Sequence, residues 1–236
     1  GQTPPANARR ARATYLAVIN GMLFGDDPRE GVRKGRDFAH PEIGIRFTVP
    51  PGYVLFNTSK AVIARGPGKA LIQFDMVTPK KTAKVGDLVA YLSRDWGRSL
   101  RLRDIERITV GGMEAATGRA RTSTRNGTRD VRLVAIRDAR RRIFRLLFLT
   151  PPAVTASQTE ALQRTTYSFR LLSADEAAAI RPLRLRVVTV GPGDTARSLA
   201  DRLPFEKLRL EWFETLNGLA RGQPLAPGSQ VKIVAE

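Results

Sequence analysis

The chain has 236 residues, 42% of them hydrophobic, and carries 40 Lys or Arg against 22 Asp or Glu for a formal net charge of +18. That apolar share builds an ordinary core and excludes a wholly disordered chain, while no apolar run reaches the roughly 18–20 residues of a membrane span. The absence of cysteine excludes disulfides, thiolate nucleophiles and Cys-ligated metals together.

Residues 1–35 open polar and continue into a short amphipathic helix, with Leu16, Ile19 and Leu23 on one face. Gly25-Asp26-Asp27-Pro28 ends it with a turn or helix-start signal. The piece is too short to bury its own apolar face, so it is expected to lean on another domain. Because the chain opens on Gly1, a longer gene product is expected, with any export signal outside these residues.

Residues 36–173 read as an α+β domain. Ile43, Ile45, Phe47 and Val49 alternate with polar or small residues and stop at Pro50-Pro51-Gly52, a strand entering a turn. Further strands are expected at 54–56, 61–64 and 70–74, with Gly66-Pro67-Gly68 as a hairpin turn. The period then changes, and Val85, Leu88, Val89, Leu92 and Trp96 share a helical face. Strands at 105–110 and 113–124 flank Gly111-Gly112, a second hairpin signal, and 131–137 pairs with 142–150 across a charged turn. A helix over 155–164 and a last strand over 166–171 complete an antiparallel α+β sandwich. Residues 174–183 form an Ala-rich linker helix. Residues 184–236 read as βααβ: a strand near 185–190, helices near 196–203 and 208–216, and a strand over 230–234. Asn217-Gly218 is a left-handed helix end.

The net charge invites a nucleic-acid reading, since Lys and Arg release counterions from phosphates. Outside Arg9, Arg10 and Arg12 and the run Arg140, Arg141 and Arg142, however, the basic residues are scattered, and no nucleic-acid motif accompanies them. Specific nucleic-acid binding is therefore the third choice. Anionic lipid or cell-wall polymer is at least as natural a use of the field.

Residues 184–236 resemble a LysM module through Val188-Thr189-Val190, Gly193-Asp194-Thr195, Ser198-Leu199-Ala200, Leu216-Asn217-Gly218 and Leu225 to Val234. The usual Ile-Pro ending is Ile233-Val234 here. The resemblance implies binding of peptidoglycan or another N-acetylglucosamine-containing glycan in a groove between loops 193–197 and 217–220. Candidate glycan-binding residues are Gly193, Asp194, Thr195, Asn217, Gly218 and Leu219, with Trp212 as a stacking platform. Equally open is that Asp194, Thr195 and Asn217 serve only as caps and turns. The phrase Gly44-Ile45-Arg46-Phe47-Thr48-Val49-Pro50-Pro51-Gly52-Tyr53 resembles the entry strand of PsbP-like α/β/α sandwiches, mostly non-catalytic binding modules.

A longer resemblance joins these parts. Tyr15 to Pro28, Gly31, Gly35-Arg36, Phe38, His40-Pro41-Glu42-Ile43-Gly44 and Arg164 to Arg170 are similar to the region after the catalytic domain in bacterial envelope zinc metallopeptidases of the M-48, prenyl-protease-like family. On that reading residues 1–35 resemble the end of a peptidase domain. Zinc is then expected only in a catalytic domain outside this chain, and the location is periplasmic or cell-envelope.

Zinc hydrolysis in that family needs two histidines at i and i+4 with an intervening Glu. The chain has one histidine, His40, set before Pro41 and read as a turn residue. Gly66-Pro67-Gly68-Lys69 lacks the spacing of a phosphate loop, and Pro67 removes an amide donor. Asp26-Asp27 and Asp175-Glu176 suit helix starts better than acid–base chemistry. The chain is thus expected to be no enzyme by itself and to hold no metal or cofactor. It reads as an accessory region that binds glycan, substrate or envelope proteins, or alternatively as a structural or protein-interaction module with a degenerate LysM.

Overall fold

A computed structural model of the chain describes residues 11–78, 80, 84–125, 127–205 and 207–236. It divides into two compact units, one spanning residues 28–180 and a discontinuous one in which the N-terminal stretch to Asp27 joins 181–236. Helix α1 (Arg12–Ile19) belongs to the second unit.

The central unit starts with β1 (Val32–Lys34), β2 (Asp37–His40) and β3 (Ile45–Thr48). Next come β4 (Val54–Asn57), β5 (Val62–Arg65) and β6 (Leu71–Val77). Helix α2 begins as an α-helical turn at Leu88–Ala90 and runs on as a π-helical turn, Tyr91–Trp96. Four long strands follow: β7 (Arg103–Val110), β8 (Met113–Thr124), β9 (Gly127–Arg137) and β10 (Ile143–Thr150). Helix α3 (Pro152–Ser168), the short β11 (Arg170–Leu171) and helix α4 (Ala174–Ala179) close the unit. A seven-stranded antiparallel sheet runs β4-β5-β6-β10-β9-β8-β7, and a four-stranded one runs β1-β2-β3-β11. The fold is α+β with antiparallel sheets, as its patterning implies.

Strand alternation explains the layering. On β9 and β10, Val134, Ile136, Phe144, Leu146 and Phe148 pack with Leu162 of α3 and with Phe38, Ile45 and Phe47 of the small sheet. Leu133, Ala135 and Ile143, offset by one, pack with Leu88 and Leu92 of α2. The large sheet is therefore covered on both faces. Phenylalanines lock the first face, with Phe47–Phe74 and Phe144–Phe169 ring centroids 5.0 Å apart, a spacing favoured by tilted aromatic pairs. The β7–β8 hairpin turns at Gly111 (φ 55°) and Gly112 (φ 76°), the paired positive angles of a type I′ turn.

Four elements differ from the sequence reading. The helix expected over 155–164 runs to Ser168, and the strand expected over 166–171 shrinks to Arg170–Leu171. Leu162, Thr165 and Thr166 sit at i, i+3 and i+4 and are buried. The Thr165 and Thr166 hydroxyls donate to the carbonyls of Ala161 and Leu162, so a β-branched run stays helical once tertiary burial outweighs propensity. Helix α2 starts at Leu88, after an Asp87 side chain that accepts from the Ala90 amide, leaving Val85 outside it. Helix α1 stops at Ile19, and Gly21 (φ 86°) turns the chain. Leu23 therefore lies off the helical face expected for it, in a β-bridge to Arg184.

The second unit holds β12 (Arg184–Thr189), α5 (Ala196–Ala200), α6 (Arg209–Asn217) and β13 (Gln230–Ala235), with β12 and β13 antiparallel. The segment after α1 extends that pair along the free edge of β12. The Gly21 and Phe24 amides donate to Leu185 and Leu183 carbonyls, and the Leu185 amide donates to Met22. Leu16 and Ile19 complete a core with Leu185, Val190, Leu199, Phe213, Val231 and Val234. The N-terminal helix thus leans on the C-terminal residues. Strand β1, from the end of the 1–35 stretch, pairs with β2 in the central unit.

Candidate functional site

In the second unit the residues singled out from sequence divide into two groups. Asp194 and Thr195 line an open cleft of about 370 Å³ with Ala196, Arg197, Leu210 and Glu214 on one side and residues 222–225 on the other. Gly193, Asn217, Gly218, Leu219 and Trp212 are not among its lining residues.

Each polar candidate also has a structural task. Asp194 Oδ2 accepts from the Gly191 amide at 2.8 Å, closing the turn after β12. Thr195 caps α5, accepting from the Ser198 amide while Ser198 Oγ accepts from the Thr195 amide, a reciprocal capping box. Asn217 acts like an extra strand residue. Its Nδ2 donates to the carbonyls of Phe213 and Lys232, and its Oδ1 accepts from the Lys232 amide at 2.7 Å. This tie covers part of the outer edge of β13. Gly218 takes the left-handed C-cap (φ 64°), and the Leu219 amide donates to Glu214 O, a Schellman-type ending. Glu214 is buried, and its Oε1 accepts from the Gly222 amide, holding the loop that forms the cleft's second wall. Trp212 is 46% exposed and stands beside Phe24 and Phe205, with centroids 6.4 and 5.2 Å away.

In the central unit His40 is buried at the end of β2, and its Nδ1 accepts from the Ile43 amide at 3.3 Å. Burial holds its imidazole below the ordinary pKa, offset by Glu42. It serves as a turn residue. Among the described residues, no three His, Asp or Glu side chains gather into a group able to hold a metal, and no helix is long and apolar enough to cross a membrane.

A second cleft, of about 380 Å³, lies between strands β7–β10 and α3. Four arginines (103, 119, 121 and 132) and two aspartates (104 and 130) line it together with Phe148, Val131 and Leu162. Arg121 is paired with Asp130 at 2.6 Å, and Thr155 donates to the other Asp130 oxygen at 2.7 Å. The Arg121 hydrogen bond and the Thr155 hydroxyl, working against burial, hold the Asp130 carboxyl below its usual range. Arg132 is different. Its Nε donates to Thr117 Oγ1 at 3.1 Å, one terminal nitrogen donates to Thr166 Oγ1 at 3.2 Å, and its guanidinium lies 5.5 Å over the Phe148 ring. No carboxylate pairs with it among the described residues. Burial first, then the Arg119 charge, push its pKa down, with Tyr167 and Glu106 opposing.

Sequence reasoning missed this cleft because its arginines lie far apart in the chain and come together only through strand register. Arginines recurring on three successive strands, at 103, 119 and 132, were the available signal, and it is mute until the pairing is known.

No protein-family model matches the chain, and no curated protein matches it. Solved structures are similar in shape. The solution structure of cyanobacterial PsbP (CyanoP) from Synechocystis sp. PCC 6803 shares 13% identity over 60% of this chain and 98% of that one, with a TM-score of 0.44. LpqN, described as involved in cell envelope biogenesis of Mycobacterium tuberculosis, shares 14% over 68% of this chain and 96% of that one, at 0.39. A protein of Bacteroides thetaiotaomicron shares 11% over 79% of this chain and 60% of that one, at 0.43. A PsbP protein is thus among the similar shapes. With TM-scores below 0.5, these likenesses carry no role over to this chain.

Proposed function

We propose that the chain is a non-catalytic accessory region of a secreted or periplasmic zinc metalloprotease, and that its LysM-like C-terminal unit binds a peptidoglycan-type glycan. The observation that carries the reading is the cleft between 194–197 and 222–225. Its hydrogen-bonding rim of Asp194, Thr195, Glu214 and Gln223 stands over Leu210 and Leu225, the mixture of polar edge and apolar floor that a sugar ring needs. Asp194 Oδ1 has no hydrogen-bond partner among the described residues, and Gln223 uses only its Oε1, on the Ala220 amide. Groups remain on the rim for hydroxyl and acetamide functions. Zinc and hydrolysis belong, on this reading, to a catalytic domain outside these residues, and the PsbP-like central unit serves assembly or partner binding in the envelope.

Calorimetry with short N-acetylglucosamine oligomers and muropeptides tests this. Saturable binding is expected, weakened about tenfold by Gln223→Ala, equivalent to the loss of one good hydrogen bond of about 1.4 kcal/mol. Asp194→Asn keeps the turn acceptor and should lower affinity without loss of fold. A second reading, a protein-interaction unit with a degenerate LysM, is favoured by the structural engagement of Asp194, Thr195 and Asn217 and by the exposed Trp212 face. Silence toward every glycan at millimolar concentration would support it over the first.

A further inference from the structure

Arg119 on β8 is the Cα partner of Arg132 on β9 in regular register, and Arg103, set off from the rest of β7 by a bulge before Glu106, is the partner of Arg119 on its other side. Directly opposed residues in an antiparallel sheet stand about 5 Å apart on the same face, and like charges so placed destabilise the sheet. A rung of three arginines is therefore a local rule broken, and such breaches concentrate at functional sites. The next rung, Arg121 opposite Asp130 opposite Thr150, shows the ordinary solution, an Arg121–Asp130 ion pair closed by the Thr155 hydroxyl of α3. The arginine rung has no such relief: Arg103 and Arg119 have no ion-pair partner among the described residues. Arg132 is anchored by two neutral hydroxyls.

The rung ends on an apolar surface. Phe148 is the Cα partner of Arg132 on β10, and Leu162 of α3 packs on the same face and lines the same cleft. Four arginines against two aspartates leave a formal excess of two positive charges in the lining. A dianion neutralises that excess where a monoanion does not. Phosphate monoesters carry about −1.5 to −2 at neutral pH, and guanidinium forks match their oxygens in pairs. A volume of about 380 Å³ falls within the usual range for small-molecule sites, roughly 300–1,000 Å³.

We propose that the cleft between strands β7–β10 and α3 binds a small phosphate monoester, its phosphoryl group held by Arg103, Arg119 and Arg132 and its apolar body lying on Phe148 and Leu162. Thr117 and Thr166 are positioning residues that fix the Arg132 guanidinium. The site lies in the central unit, so its test is independent of the glycan cleft.

Calorimetry on the intact chain, in about 0.15 M salt to screen the diffuse field of a cationic protein, uses phenyl phosphate as probe. The comparators are inorganic phosphate, benzoate and phosphatidylglycerol vesicles. One-to-one binding of phenyl phosphate is expected, at least about fivefold tighter than inorganic phosphate, which lacks the ring, and than benzoate, which lacks the second charge. Arg119→Gln, at an exposed position, should weaken it at least about tenfold and should also raise the melting temperature of the unliganded protein, because it removes both opposed pairs of like charges, with Arg103 and with Arg132. Arg132→Lys should weaken binding similarly, since lysine cannot present a fork. Phenyl phosphate affinity unchanged by Arg119→Gln would overturn the proposal, as would equal affinity for all three small anions. Binding of the vesicles alone would also overturn it, by assigning the arginines to a lipid surface.

Discussion

His40 is the chain's one histidine, so it gives a clean pH signature. Burial lowers its pKa from the ordinary 6.5. The folded state therefore holds protons less readily than the unfolded chain, and stability is full above pH 6.5 and declines as pH falls below it through the folded pKa. The variant His40→Asn keeps an acceptor for the Ile43 amide and removes the titration. Its urea midpoint should be flat between pH 7 and 5.5, while that of the parent protein falls. Parallel curves would show that carboxylates, not the imidazole, govern this window. Glu176 titrates lower: hydrogen bonds from Arg170 and the Ser173 amide hold it at about 2. Its contribution is present above the unfolded carboxylate pKa and is lost only as pH falls toward 2. Such single-residue roles were partly legible in the sequence. His40 before a proline read as a turn residue, and Asp175-Glu176 read as acids suited to the positive end of a helix start, since both follow from local chain chemistry.

At the scale of elements, Asn217 is the sharpest case. One amide side chain ties the end of α6 to β13 through the Phe213 carbonyl and both backbone groups of Lys232. Asn217→Ala should destabilise the second unit by about 1–3 kcal/mol, because it strands those groups. Asn217→Asp should be nearly as harmful, since it keeps the acceptor but loses the donor. The sequence placed Asn217 at a helix end but could not show the strand beside it. Most strands, both glycine-bearing hairpins and the βααβ order were legible, because period-2 and period-3.6 patterns and turn residues act locally. The full length of α3 was not, because the burial of Thr165 and Thr166 is a tertiary fact. The arginine rung was hidden for a deeper reason: positions 103, 119 and 132 become neighbours only when two hairpins fix their register.

At the scale of the whole molecule, the N-terminal helix and the C-terminal residues share one core, although 153 residues of central unit separate the two segments in the chain. Leu16, 3% exposed, is the test of that joint core. Leu16→Ala should cost the second unit about 2–5 kcal/mol through lost burial and the cavity left behind. The two tryptophans report separately, Trp96 from the central unit and Trp212 from the second. A Trp96→Phe background isolates the Trp212 transition, which should move to lower denaturant with Leu16→Ala; an unmoved transition would detach the helix from this core. The division also places the two candidate clefts on separate units, so that ligands for one can be titrated without the other.

The claim on which the functional reading rests is recognition of an N-acetylglucosamine glycan by the second unit. Amide chemical-shift mapping of the intact chain during titration with a short, soluble oligomer of that sugar tests it directly. Saturable shifts clustered at 193–197 and 222–225, with residues 28–180 unmoved, are the expected result. Absence of shifts at millimolar sugar, or shifts confined to the Trp212 indole and its aromatic neighbours, would contradict it.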